Sequence, residues 1–291
     1  MPAHDCAVIG GGPAGLLAAV YLARFRRRTL LVHDGQSRAR WIPRTRNVPG
    51  YPHGIEGKDL LERLEEQAGR YDIERVATRI VSVEGSSGSF VLNGDGGPWL
   101  AKRVILATGV HDIVPDDLRM LWPLVSQGLV RLCPVCDAFE LCGKRIGLLS
   151  RGAHALAAAT MLSGYGPVTV LTHGAEKSST EMNCVEKRIK DVRGEGAVTV
   201  VFEDASALEL DALYVGFGVE VYSGLAAKLG ARCDVAGYLF VDQKQQTSVP
   251  GLYAAGDVVQ SLSQISVAFG QAAIAASAIN VALNEERWAR T

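Results

Sequence analysis

The residues best suited to chemistry are two cysteines near the middle of the chain, in the stretch 129-LVRLCPVCDAFELCG-143. Two residues separate Cys133 from Cys136, and Asp137 follows the second cysteine directly. Cysteines at this spacing can form a reversible disulfide across the first turn of a helix, where one thiol becomes more acidic than usual. The same spacing can supply half of a zinc site, or it can be incidental.

The composition indicates the class of protein in which this cysteine pair lies. The chain has 291 residues, 48% of them hydrophobic and 32 of them glycine, which is typical of a turn-rich α/β protein. Lys and Arg (30) nearly balance Asp and Glu (31), so we expect neither nucleic acid nor an anionic membrane as a partner. Six scattered cysteines, an opening strand-like run and no stretch of about 18 apolar residues predict a cytoplasmic protein without a signal peptide or membrane span.

Zinc is the weaker interpretation of the cysteine pair. A closed structural zinc site needs four ligands, commonly from a second CxxC or a pair of histidines. The six histidines show no such pairing, and the other cysteines are scattered at Cys6, Cys142, Cys184 and Cys233. We therefore predict a redox pair and no metal, with Cys6 in the core and Cys142 a small buried residue.

The opening of the chain has the pattern of a βαβ unit. An apolar strand, a glycine turn and a helix occupy 6-CAVIGGGPAGLLAAVYLARF-25, and a second apolar strand follows in 29-TLLVHDG-35. Gly10, Gly12 and Gly15 fit G-x-G-x-x-G, in which the glycines permit a tight turn, close approach of a pyrophosphate and close helix packing. The pattern predicts a dinucleotide-binding turn.

The flanks of this turn support the same prediction. Pro13 and Ala14 complete the segment GGGPAG, and the N-terminus of the helix offers free N–H groups to phosphates. Asp34 ends the second strand about 20 residues after Gly15, where an acid can accept a hydrogen bond from a ribose hydroxyl.

A second βαβ pattern occupies 144-KRIGLLSRGAHALAAATMLSGYGPVTVLTHG-174. Its turn has Ser150, Gly152 and Ala155 where G-x-G-x-x-[G/A] is expected, so the first glycine is a serine. The following strand ends with neither an acid for a ribose nor an arginine pair for a 2′-phosphate. The segment is either a working nicotinamide site or a structural relic.

The other segments complete an α/β pattern. Between the two βαβ patterns, the sequence predicts a helix near 57–70 and an antiparallel meander from the strand-like runs 75–85, 89–94 and 99–109. Near the end, a strand at 252–257 precedes an apolar helix at 266–283. An acid at such a strand end can bind a ribityl hydroxyl or phosphate-bridging water, although the motif alone is a weak signal.

The order of these motifs is more specific than any one of them. It runs GGGPAG (10–15), ATG (107–109), CPVCD (133–137), a second βαβ unit and TSVPGLYAAGD (247–257). The whole chain thereby resembles the low-molecular-weight thioredoxin reductases and their relatives. The resemblance implies two Rossmann-like nucleotide-binding domains of the three-layer ββα type, the second inserted into the first.

The resemblance also implies domain boundaries and cofactors. Residues 1–112 and 242–291 would form a split FAD-binding domain, and residues 113–241 an NAD(P)H-type domain that carries the CxxC motif. The positions that match the family's FAD segments are Asn47, Thr108, Gly109, Gly256, Asp257, Gln264 and Ile265. Two departures stand out, since the family's arginine before Gln264 is Ser263 and its glycine after the redox aspartate is Ala138.

The family's mechanism assigns a role to each residue of the CxxC motif. Cys136 would face the flavin, Cys133 would attack an external disulfide, and Asp137 would transfer the proton. The substrate would be a thioredoxin-like protein or a small-molecule disulfide or dithiol, and the protein a homodimer. Two alternatives stay open: an oxygen-using dithiol oxidase on the same fold, and a flavin-binding redox sensor or a reductase fed by a donor other than NAD(P)H.

Overall fold

The computed structural model describes residues 3–175 and 183–289, which fold into two compact units. The first unit comprises Met1–Arg40, Lys58–His111 and Glu220–Thr291, and the second comprises Trp41–Gly57 and Asp112–Val219. These divisions differ from the boundaries expected from the sequence. The segment 41–57 belongs to the second unit, and residues 220–241 belong to the first.

The described residues contain both helices and strands, as is typical of an α/β chain. In chain order they are β1 His4–Ile9, α1 Pro13–Arg24, β2 Thr29–Val32, α2 Gly57–Gly69, β3 Ile73–Val76, β4 Ile80–Ser86, β5 Ser89–Gly94, β6 Trp99–Leu106, β7 Val110–Asp112, α3 Trp122–Ser126, β8 Val130–Arg131, α4 Pro134–Asp137, β9 Ile146–Ser150, α5 Ala153–Ser163, β10 Val168–Leu171, β11 Cys184–Val185, β12 Ile189–Gly194, β13 Val198–Phe202, β14 Ala207–Leu210, β15 Ala212–Gly216, β16 Val219–Val221, α6 Gly224–Lys228, β17 Leu252–Ala254 and α7 Ile265–Trp288.

The first unit is built on a seven-stranded sheet in the order β3–β2–β1–β6–β5–β4, with β17 also paired to β6. The pairs β1–β2, β2–β3, β1–β6 and β6–β17 are parallel, whereas β4, β5 and β6 form the predicted antiparallel meander. The single predicted run 75–85 is wrong in one respect. It splits between two strands, because β3 continues the parallel sheet beside β2 while β4 begins the meander.

Helix α7 lies against α1 in the first unit. It is the one helix of the described residues that is long and apolar enough to cross a membrane by length and composition. Its residues Ala268, Ala272, Ala275 and Ala276 are buried, and such small side chains allow two helices to approach closely. The core helix of a soluble protein has the same composition.

The second unit has a five-stranded parallel sheet in the order β11–β10–β9–β15–β8 and a three-stranded antiparallel sheet of β12, β13 and β14. The predicted second βαβ unit is present as β9, α5 and β10. The prediction of two Rossmann-like domains is therefore confirmed. Strand β15 lies between β9 and β8, with Tyr214 opposite Leu148 on one side and opposite Arg131 on the other.

Candidate active site

The glycine turn after β1 leaves no room for side chains. Gly10 has a φ of +119°, and a Cβ at this position would clash with the carbonyl group of Ala107. A Cβ on Gly15, in the first turn of α1, would clash with the carbonyl oxygen of Gly10. The glycine pattern thus serves the close packing of α1 on the turn and of the turn on the segment after β6.

The N-terminus of α1 has the character of an anion site. Gly12 is its N-cap residue and Pro13 opens its first turn, and no side chain of the described residues caps it. The first N–H groups of α1 are therefore available to a phosphate. Asp34 is exposed at the end of β2 and accepts a hydrogen bond from the Gln36 N–H (3.0 Å), while Ser37 of the same loop lies beside Gly12.

The strand end at 252–257 packs against the same turn. A Cβ on Gly256, whose φ is +83°, would come within 3.0 Å of the Ala14 Cβ. The Gly256 N–H donates to Gln271 Oε1 (2.8 Å), and Gln271 Nε2 donates to Ser261 Oγ (2.9 Å). Gln271 lies on α7 and is buried, so it ties this strand end to the helix.

Replacing Gln271 with Met is expected to lower the stability of the first unit. The substitution keeps a similar volume but leaves the buried Gly256 N–H without its acceptor, which costs about 1–3 kcal/mol. The urea midpoint of unfolding should fall, whereas Gln67→Met, on the exposed face of α2, should leave it unchanged. Equal midpoints for the wild type and Gln271→Met would show that this hydrogen bond contributes nothing.

Asp257 is held by an arginine that the sequence did not single out. Arg38 Nη1 lies 3.2 Å from Asp257 Oδ2, and both side chains are mostly buried. Because the neighbouring Ser37 lies beside Gly12, this ion pair is close to the glycine turn. The ion pair joins the loop after β2 to the segment after β17, and each charge is neutralised by the other.

Four of the other residues matched to FAD segments lie in two segments of the first unit. Thr108 Oγ1 donates to the carbonyl of Tyr222 (2.7 Å), and Gly109 has a φ of +66°. Gln264 is the extended N-cap residue of α7, which begins at Ile265. These four matched residues belong to the first unit.

Asn47 belongs instead to the second unit. Its side chain is exposed, and its Oδ1 accepts a hydrogen bond from Thr45 Oγ1 (2.8 Å). Its role beside a flavin stays a prediction.

The two central cysteines are joined in a disulfide, with their Cα atoms 5.3 Å apart. Cys133 is the extended N-cap residue of α4, and Pro134 occupies the first helical position, where its missing N–H costs nothing. The Cys136 N–H donates to the Cys133 carbonyl (3.0 Å), which closes the turn. The structure thus pairs the two cysteines predicted to form a disulfide, and their redox role stays a prediction.

The remaining cysteines differ in how exposed their side chains are. Cys6 is fully buried in β1, as predicted, and burial raises the pKa of its thiol, so it is inert. Cys142 was predicted to be buried, and that prediction is wrong. It is exposed because it follows the short 3₁₀ turn Ala138–Leu141 at the surface.

Asp137 follows the disulfide directly, and its pKa is raised above the ordinary value of a carboxyl group. Burial raises the pKa of Asp137, while a hydrogen bond from Tyr214 and the charge of Arg131 oppose that effect and Glu140 adds to it. The Tyr214 hydroxyl donates to Asp137 Oδ1 (2.6 Å). Arg131 Nη1 donates to the Asp137 carbonyl (2.8 Å) and lies 3.4 Å from Oδ2. A carboxyl group with a raised pKa next to a dithiol is suited to carry a proton.

The second nucleotide turn is shaped differently from the first. Ser150 is fully buried, and its Oγ donates to the Gly216 carbonyl (2.5 Å), so the serine ties β9 to β15. Gly152 has a φ of +72°, which favours glycine, and no described atom lies within 4 Å of where its Cβ would be. Ala155 is buried, as a small residue at the third position requires.

An ion-pair cluster of one histidine, one arginine and one aspartate lies near the end of β10. His173 Nε2 is 2.9 Å from Asp117 Oδ2, and Arg188 Nη2 is 3.1 Å from the same oxygen. The Ile189 N–H donates to His173 Nδ1 (3.1 Å), so Nε2 is the nitrogen that donates to Asp117. The sequence analysis missed Arg188 because it follows β11, beyond the βαβ pattern.

Residues 4–272 match the sequence profile of the family described as pyridine nucleotide-disulphide oxidoreductase. The chain belongs to this family. It is 30% identical to a thioredoxin reductase of Peptoclostridium acidaminophilum over 94% of this chain and 95% of that one. It is 31% identical to that of Peptoclostridium litorale, with the same coverage.

Solved structures of the same fold agree with this placement. The structure of HlmI superposes with a TM-score of 0.88 at 27% identity, covering 99% of this chain and 95% of that one. An oxidoreductase from Agrobacterium tumefaciens superposes with a TM-score of 0.84 at 29% identity, covering 97% and 99%. The chain is thus an FAD-dependent disulfide oxidoreductase of the thioredoxin-reductase type, and its family uses FAD and NADPH. The two thioredoxin reductases favour the reductase over both alternatives.

The residues present fit both cofactors. For FAD, the uncapped α1 N-terminus with its three glycines and the exposed Asp34 fit a pyrophosphate and a ribose. For a nicotinamide nucleotide, the open space at Gly152 before α5 fits a second pyrophosphate. Binding of a nucleotide at Gly152 and Ala155 stays a prediction.

Proposed function

We propose that this protein passes electrons from NAD(P)H through FAD to the Cys133–Cys136 disulfide, and then to the disulfide of a thioredoxin-like protein or a small molecule. The observation that carries the proposal is the disulfide-bonded CxxC motif followed directly by a mostly buried acid. The first unit would bind FAD, and the second would bind the nucleotide and carry the dithiol. We further propose a cytoplasmic homodimer.

In this proposal the chain holds FAD through the glycine turn and the segments that pack on it. The N–H groups at the start of α1 bind the pyrophosphate, and Asp34 binds the adenosine ribose. The residues assigned to FAD are Gly10, Gly12, Pro13, Ala14, Gly15, Asp34, Asn47, Thr108, Gly109, Gly256, Asp257, Gln264 and Ile265. When bound, FAD accepts a hydride and supplies two electrons to a disulfide. Gly152 and Ala155 lie in the turn assigned to the nucleotide.

The reduced cysteines would act by thiol–disulfide exchange. The Cys133 thiolate attacks one sulfur of the external disulfide, forms a mixed disulfide and releases the first substrate thiolate. Asp137 accepts the proton of the Cys136 thiol, and the Cys136 thiolate attacks Cys133 and releases the second substrate thiolate. Asp137 then protonates a leaving thiolate. Two electrons pass to the substrate, and the Cys133–Cys136 bond is restored.

The proposal is tested by supplying the FAD-loaded protein anaerobically with NADPH, or with NADH, and an oxidised bacterial thioredoxin. We expect flavin bleaching by at least one nucleotide, followed by nucleotide oxidation in step with the appearance of thioredoxin thiols. A parallel assay supplies oxygen and no disulfide, and nucleotide oxidation should then be slow. If neither nucleotide bleaches the flavin while small dithiols do, the proposal of an NAD(P)H-fed reductase is wrong.

A further inference from the structure

Two side chains from the parallel sheet of the second unit converge on Asp137. Tyr214 lies on β15 and Arg131 on β8, and these strands pair in parallel with Tyr214 directly opposite Arg131. Residues opposite each other on adjacent strands project to the same face of a sheet. The phenol and the guanidinium therefore stand side by side, and both reach the same aspartate.

We infer that Tyr214 and Arg131 are positioning residues, which hold the Asp137 carboxyl group in place for proton transfer with the cysteine pair. The inference rests on the proposed function and deepens it. Neither residue belongs to the CxxC motif. They act through Asp137 alone.

Burial makes this arrangement rigid. Tyr214 is fully buried, so its ring has a fixed place in the core, and its hydroxyl reaches Asp137 Oδ1 at 2.6 Å. The Arg131 side chain is 17% exposed, and its Nε also donates to the Gly128 carbonyl (3.2 Å). Arg131 Nη1 also donates to the Asp137 backbone carbonyl. Both the backbone carbonyl and the side-chain carboxyl group of Asp137 are therefore held by hydrogen bonds.

One further titratable group, Glu140, acts on Asp137 besides Tyr214 and Arg131. Glu140, in the 3₁₀ turn after α4, raises the pKa of Asp137, and its own partner is Arg46 at 3.7 Å. Tyr214 and Arg131 act in the opposite direction and limit the rise caused by burial. Removing the Tyr214 hydroxyl should therefore raise the pKa of Asp137 further.

The chemical consequence follows from the exchange reaction. Asp137 must be ionised to accept the proton of Cys136 when that thiol closes the disulfide. The rate of closure should therefore rise with pH as Asp137 ionises. A higher pKa moves this rise to higher pH, so Tyr214→Phe should slow closure most on the acid side.

The test follows both exchange steps of the cysteine pair, and loss of the free Cys136 thiol from the Cys133 mixed disulfide reports closure. Protein reduced with dithiothreitol and freed of it is mixed with bis(2-hydroxyethyl) disulfide at a series of pH values. Samples are then alkylated, and peptide masses give the free thiol at Cys133 and Cys136. The variants are Tyr214→Phe, Arg131→Met, Asp137→Asn and the double variant Tyr214→Phe/Asp137→Asn. Tyr165→Phe is the matched control, because Tyr165 packs against the same core cluster.

We expect Asp137→Asn to slow closure about 100-fold and to remove the acid limb of the profile. Tyr214→Phe should move that limb to higher pH, with closure about tenfold slower on the acid side, the size expected for one hydrogen bond to a charged group. Arg131→Met should move it in the same direction, and Tyr165→Phe should match the wild type. In the Asp137→Asn background, Tyr214→Phe should change nothing further.

A Tyr214→Phe profile that superimposes on the wild type would overturn the inference. So would an equal slowing at every pH, or the same slowing in the Asp137→Asn background, since either result would mean a purely structural role. The assay uses neither nucleotide nor thioredoxin. A failure of NAD(P)H to reduce the flavin would therefore overturn the proposed function, but the effect of Tyr214 and Arg131 on closure could still be measured.

Discussion

Replacing Cys136 with Ser is expected to abolish disulfide turnover while FAD stays bound. A serine hydroxyl is not ionised near neutral pH and cannot form a disulfide, so electrons have no acceptor between the flavin and the substrate. Turnover should fall by about 10³-fold or more. The flavin absorbance of the purified protein should be unchanged, because the cysteine belongs to the second unit and the glycine turn to the first.

The matched control for this substitution is Cys142→Ser. Cys142 is an exposed free thiol six residues farther along the chain, and its replacement should leave turnover at the wild-type rate. Substantial turnover by Cys136→Ser would mean that another thiol carries the electrons. Loss of FAD from Cys136→Ser would mean that the pair has a structural role in the flavin site.

Replacing Gly15 with Ala is expected to have the second largest effect, namely loss of bound FAD. The new Cβ would meet the Gly10 carbonyl oxygen, which is backbone and cannot rotate away. Helix α1 would have to move off the turn, and the N–H groups proposed to bind the pyrophosphate would move with it. Overpacking of this kind costs about 1–3 kcal/mol or more, so the unfolding midpoint should fall as well.

Gly224→Ala is the control for the loss of FAD. Gly224 opens α6 in the same unit, and no described atom lies within 4 Å of where its Cβ would be. Alanine in a helix is favoured over glycine, so this variant should keep FAD and equal or exceed the stability of the wild type. Full FAD content in Gly15→Ala would show that α1 tolerates displacement and that the glycine spacing is not needed for binding.

The parts of the site that could be predicted are those encoded within short stretches. The Gly10–Gly15 spacing, the CxxC pair and the βαβ units are each set by local turns and strand–helix alternation, so the sequence alone predicted them. The resemblance to a known family followed from their order along the chain. Local patterns also predicted the antiparallel meander, apart from the split between β3 and β4.

What could not be predicted depends on contacts between distant residues. Tyr214 reaches Asp137 across 77 positions, and Arg38 reaches Asp257 across 219. In sequence, a tyrosine within an apolar run is indistinguishable from any other core residue of a buried strand. Its partner becomes evident only from the register of β15 beside β8.

The central claim is that a nicotinamide nucleotide reduces the Cys133–Cys136 disulfide, and its most direct test is thiol trapping without any substrate. The FAD-loaded protein is mixed anaerobically with NADPH, alkylated and mapped by peptide mass, with a nucleotide-free sample beside it. We predict that NADPH makes both Cys133 and Cys136 alkylatable and leaves the labelling of the other cysteines unchanged. A flavin that is reduced while the disulfide stays intact would contradict the claim.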